Sequence, residues 1–108
     1  MDYSQLSDFE INKRVAQLHG GFALTLAVHD EPPSGKSFDP GRFDPCHNPA
    51  DAWPIIVGSK INIRFGAEGM ACEAQFMQYG HESVECYHAN PLRAAMIVFL
   101  MMQDANNA

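Results

Sequence analysis

The sequence predicts an α+β fold: an antiparallel sheet of three to four strands with an N-terminal helix, a short middle helix and a buried C-terminal helix packed on the sheet. Three observations carry this. A capping sequence followed by apolar residues at helical spacing lies near the N-terminus. Short alternating stretches separated by glycine turns fill residues 61–88. An unbroken apolar run, Ala94 to Met102, follows an Asn-Pro helix start. The 108 residues form a single domain, 1–108, able to bury roughly two-thirds of its unfolded surface.

The first helix is expected over 8–19. Ser7 and Glu10 have the spacing of a capping box, and Leu6 with Ile11 that of a hydrophobic staple. Ile11, Val15 and Leu18 recur at helical spacing, with Lys13 and Arg14 facing away. Gly20-Gly21 ends the helix, because glycine enters the left-handed conformation cheaply. Phe22, Leu24, Leu26 and Val28 alternate with small residues, which reads as a strand over 22–28. Residues 29–47 form a long irregular loop, since Pro32, Pro33, Gly35, Pro40, Gly41 and Pro45 exclude a long regular element.

Asn48 suits an N-cap, Pro49 the first turn and Asp51 the positive helix end, which opens a helix over 49–57 ending near Gly58. Pro54 either kinks this helix or begins a strand at Ile55. Ile61, Ile63 and Phe65, then Cys72, Ala74 and Phe76, then 83–88 with Val84, Cys86 and His88 on one face, read as an antiparallel meander. Its turns fall at Gly66–Gly69 and at Tyr79-Gly80-His81. Asn90 and Pro91 open the last helix, 91–104, leaving 105–108 as a frayed tail. A helix apolar on every side must be covered on every side, by the rest of the chain or by a second subunit. The second option makes a homodimer the expectation.

Composition narrows the function classes. With 13 acidic and 7 basic residues the net charge is −6, which disfavours polyanion binding, since phosphate affinity rests on clustered Lys and Arg. Helix, three strands, helix is nonetheless the element order of double-stranded RNA-binding domains, and nucleic acid stays an alternative. No apolar run reaches the ~20 residues of a membrane span. Three cysteines, an odd number, and an N-terminus without an export signal point to the cytoplasm.

No catalytic set assembles. His81, Cys86 and His88 with Cys46-His47 lack paired zinc-ligand spacing, so no metal site and no cofactor are assigned. A Cys–His nucleophile pair has no local signature. Gly66-Ala67-Glu68-Gly69 lacks the lysine of a phosphate loop. The strongest candidate contact surface is Arg42, Phe43 and Asp44 with Asn48, Asp51 and Trp53. An aromatic residue in such a loop either plugs the domain's own core or anchors a partner, and the plug is favoured for Phe43. Trp53 reads as core on the same ground.

Three blocks carry a resemblance: Met1-Asp2-Tyr3-Ser4-Gln5-Leu6-Ser7-Asp8-Phe9-Glu10-Ile11-Asn12; Phe43-Asp44-Pro45-Cys46 with Asn48-Pro49-Ala50-Asp51-Ala52-Trp53-Pro54-Ile55-Ile56; and Asn90-Pro91-Leu92-Arg93-Ala94-Ala95-Met96-Ile97-Val98-Phe99-Leu100. In this order they resemble the NinX family of small proteins from lambdoid phages and prophages. Where that family often carries a Trp-x-Ala segment, this chain has Gly69-Met70-Ala71-Cys72. The resemblance implies an accessory phage or prophage protein of the bacterial cytoplasm, in a family with no assigned activity and no catalytic residues to carry over. The expected function is a non-enzymatic module that binds a host or phage protein. A small-molecule pocket between the long loop and the sheet is a further alternative.

Overall fold

A computed structural model describes residues 2–29, 42–77 and 83–106. A 3-10 turn, Tyr3–Gln5, leads into α1 (Asp8–His19) and α2 (Gly21–Thr25). Then follow α3 (Pro49–Gly58), β1 (Asn62–Arg64), β2 (Cys72–Phe76), β3 (Val84–His88) and α4 (Pro91–Asn106). The strands form one antiparallel sheet in the order β1-β2-β3, with Ile63 opposite Ala74 and Ala74 opposite Cys86.

The architecture centres on α4. One side of it lies on the sheet, chiefly β2 and β3, and α1 and α3 pack against it too. Every residue from Arg93 to Leu100 is buried. Full burial of a side chain such as Met96 or Leu100 stabilises by roughly 1.5–3 kcal/mol, so this helix supplies the largest share of the core. The chain's own sheet and helices therefore cover the apolar run. α4 extends to Asn106, two residues past the expected end at 104.

The predicted caps form. Ser7 and Glu10 close a capping box at α1. Asn48 accepts from the Ala50 amide at α3, and Asn90 accepts from the Leu92 amide at α4. In α3 the helix passes through Pro54 without yielding to a strand. Pro54 and Ala50 are both exposed, so water can satisfy the carbonyl that proline leaves free.

The strand expected over 22–28 is a helix, and among the described residues the sheet has three strands, the lower of the three to four expected. Gly21, at φ +73°, turns the chain back at the end of α1, so the next residues pack along α1 instead of reaching the sheet. Thr25 donates its hydroxyl to the Gly21 carbonyl at 3.0 Å, closing the short helix. The alternation misled because Phe22 and Leu26, four apart, also share one side of a helix, and that side is exposed. Leu18, expected in the core, is 51% exposed; Asn12 takes an inward position on α1 instead. Phe65 likewise lies past the end of β1 and is exposed.

Gly66 belongs to the β1–β2 turn for a steric reason: a Cβ there would sit 2.4 Å from the Ala71 carbonyl oxygen. The expected turn at 79–81 and residues 30–41 of the long loop lie outside the described residues. No helix among the described residues is long and apolar enough to cross a membrane.

Candidate functional site

The stretch from Arg42 to Trp53 divides between two places. The first is a buried polar cluster around the turn at residues 44–47. Phe43 enters the core at 7% exposure and its amide donates to the Ala27 carbonyl at 2.8 Å, so it is the plug. Asp44, next to it, is also buried. Asn12, 4% exposed, clamps the turn from α1: its amide donates to Asp44 Oδ1 at 2.7 Å, and its carbonyl accepts from the Cys46 amide at 3.0 Å. Asp51 Oδ2 accepts from the Asp44 amide at 2.9 Å and from the Asn48 side chain at 3.3 Å. Asn90 donates to the Cys46 carbonyl at 2.7 Å. Both Asn-Pro helix starts thus cap their own helix and bind the same region.

The cluster extends to the N-terminus. His47 Nδ1 lies 3.0 Å from Asp44 Oδ1, and His47 Nε2 lies 3.0 Å from Asp8 Oδ2. The Arg93 guanidinium meets Asp8 Oδ1 at 2.6 Å and donates to the Leu6 carbonyl at 2.7 Å. Leu6 is the C-cap of the first turn, so Arg93 secures that turn to the start of α4. Arg93 is a buried charge, and a buried charge persists when paired: Asp8, itself partly exposed, supplies the pair.

What this cluster does chemically is hold segments together. Cys46 beside His47 is fully buried, and burial, reinforced by the Asp8 carboxylate, pushes its thiol far above the ordinary range. A thiol held protonated is no nucleophile. Burial also pushes up the Cys86 thiol. Among the described residues no group of three or more His, Cys, Asp or Glu side chains is placed to hold a metal ion; His81 lies outside them.

The second place is an apolar groove between α3 and β1, about 430 Å³ in volume. Trp53 and Val57, one helical turn apart on α3, form one wall; Ile63 and Phe65 form the other; buried Ile56 and Ile61 underlie it. Trp53 is 63% exposed and Phe65 71%, so the reading of Trp53 as core is corrected: α3 turns Ala52, Ile55 and Ile56 inward and leaves Trp53 and Val57 outside.

A tight corner fixes the walls. The Ile61 amide donates to the Ile56 carbonyl at 3.0 Å, and the Lys60 amide to the Val57 carbonyl at 3.2 Å. This is a Schellman closure, with Lys60 at the left-handed position that glycine usually fills. Lys60 has φ 57°, the one positive φ at a non-glycine among the described residues. A side chain there costs about 1 kcal/mol relative to glycine. The residue pays that for a place on the rim of the groove.

The structure therefore brings together Phe43, Asp44, Asn48 and Asp51 in and around the turn. Arg42 reaches the His29 carbonyl at 3.5 Å, and Trp53 stands in the groove. Sequence reasoning missed Asn12, His47, Asn90 and Arg93 in the cluster, and Val57, Lys60 and Phe65 in the groove. Signals for two of them existed: Asn12 interrupts the apolar stripe of α1, and Arg93 is the one charge in the first three turns of α4.

A comparison with curated proteins and one with solved structures found no match. A family model described as Bacteriophage P22, NinX matches residues 2–103. With nearly the whole chain aligned, from the N-terminal turn that Arg93 secures to the last turn of α4, the protein belongs to the NinX family of phage proteins.

Proposed function

We propose that this phage protein acts without catalysis, as a module that binds a host or phage protein in the bacterial cytoplasm. The exposed apolar groove at Trp53, Val57 and Phe65 carries the reading. Large apolar side chains left together on a surface, beside a structured polar interior, mark a contact site rather than a packing residue. Trp53 is the member of the sequence-derived contact set that this reading keeps at its centre. Phe43 and Asp44 act behind the surface, by fixing the turn that starts α3.

The test is capture from bacterial lysate by the full chain and by a Trp53→Ala/Phe65→Ala variant. A protein retained by the parent and lost with the variant supports the reading. Equal retention by both removes the groove from it.

One observation favours a second reading: α3–β1–β2–β3–α4 follows the element order of double-stranded RNA-binding domains. Its charge opposes it, because Arg93 is buried on Asp8 and the net charge is −6. A salt-sensitive shift of labelled duplex RNA at micromolar protein would restore it. The small-molecule alternative placed its pocket against the long loop, most of which lies outside the described residues. The homodimer loses its original ground, because α4 is covered from within its own chain. Self-association through the groove is the form of it that light scattering tests.

A further inference from the structure

We infer that the groove receives an extended acidic segment of the partner, which adds to the outer edge of β1 as a fourth strand. This deepens the protein-binding reading and rests on it. β1 pairs with β2 on one side, and among the described residues no strand pairs with its other side. An antiparallel strand turns alternate N–H and C=O groups away from its partner, so that outer edge carries groups ready for another strand. The groove lies along this edge, because Ile61, Asn62 and Ile63 help to line it. An added strand would have its side chains alternate between two faces. One set would fall on the Ile63 face, toward Trp53 and Val57. The other would fall on the face of Asn62 and Arg64.

Charge selects the occupant. Residues 60–65 hold two cations, Lys60 and Arg64, and no acid, in a chain of net charge −6. Lys60 lines the groove; Arg64 is largely exposed, its nearest carboxylate being Glu73 at 3.9 Å. A second copy pairing antiparallel through β1 would set Arg64 diagonal to its own copy when centred on Ile63, or opposite Lys60 when centred on Asn62, and like charges across strands are destabilising. An acidic strand would meet them with opposite charge. β3, the other edge strand, exposes Glu85 instead and offers an acidic segment nothing comparable. Affinity in such pairing comes from main-chain hydrogen bonds, and selectivity from the alternate side chains.

The probe is a seven-residue acetylated, amidated peptide, Glu-Val-Glu-Val-Glu-Val-Glu, with a lysine-for-glutamate counterpart. Trp53 is the chain's single tryptophan, so its emission reports the groove directly. The acidic peptide is expected to shift Trp53 emission saturably and to slow amide exchange at Asn62–Arg64. The lysine peptide is expected to bind at least tenfold more weakly, and a Lys60→Glu/Arg64→Glu variant to reverse the order. Lys60→Gly, which keeps the fold by relieving its backbone, is expected to weaken the acidic peptide several-fold. Unchanged emission, equal binding of both peptides, or unchanged exchange at β1 would overturn the inference. So would an emission shift that grows with protein concentration alone, which would place a second copy in the groove. If lysate capture still depends on Trp53 and Phe65 while the peptide fails, the protein-binding reading stands and the strand addition falls.

Discussion

The 44–47 turn and the α3–β1 groove invert the usual distribution of side chains. The turn buries Asp44, Asn12 and Arg93; the groove exposes Trp53, Val57 and Phe65. Each is costly by itself. The polar cluster offsets its desolvation with short, directed bonds to groups from α1, α3 and α4. Among the described residues the groove has no such compensation. On the proposed reading, that difference separates architecture from function: substitutions in the first should lower stability, and substitutions in the second should spare stability and change binding.

The contrast can be tested at its strongest point first. Arg93→Ala leaves Asp8 and the Leu6 carbonyl without their cation and should cost about 3 kcal/mol, read as a lower urea midpoint. An unchanged midpoint would reduce the cluster to decoration. Asn12→Ala removes one donor from the Asp44 carboxylate, which keeps His47, and leaves the buried Cys46 amide without its acceptor, for about 2 kcal/mol by the same measurement.

Tyr3 extends the buried polar side to a pH effect. Its hydroxyl donates to Asp104, and burial with that carboxylate pushes the phenol up to about 12. The folded state then holds the proton that the unfolded state releases near pH 10. Stability is therefore unaffected below pH 10 and falls as pH rises from 10 through 12. Tyr3→Phe should lose about 1 kcal/mol at neutral pH and flatten that decline.

The groove side gives the opposite signs. Lys60→Gly relieves a left-handed residue and should raise stability by about 1 kcal/mol in thermal unfolding. Trp53→Ala should change stability least, within about 0.5 kcal/mol, since the ring is mostly exposed. A large loss there would show the ring to be part of the fold.

Features that depend on neighbours in sequence were legible. The Ser7–Glu10 box, the two Asn-Pro starts and the buried run of α4 are local patterns, and each formed. The 22–28 segment was not legible, because its alternation suits a strand and a short helix alike, and the turn at Gly21 decides between them. Asp44, Asn48 and Asp51 could be grouped because one turn holds them. His47 could not be tied to Asp8, nor Arg93 to Leu6, because only the fold joins residues so far apart in sequence, the second pair across most of the chain. Trp53, read as core, lies mostly exposed: whether a ring on a helix faces core or solvent depends on which neighbouring face the core claims.

The position of α4 has a consequence for the kinetics of folding. Secondary structure here is mainly helical, which ordinarily goes with fast folding. Yet the bonds that close the structure join Tyr3 to Asp104, 101 residues apart, and Leu6 to Arg93, 87 apart. Loop-closure entropy of that size must be met before those contacts return anything. During synthesis α1, α3 and the sheet emerge before the helix they pack on. Until residues 93–104 arrive, their apolar faces have no native cover.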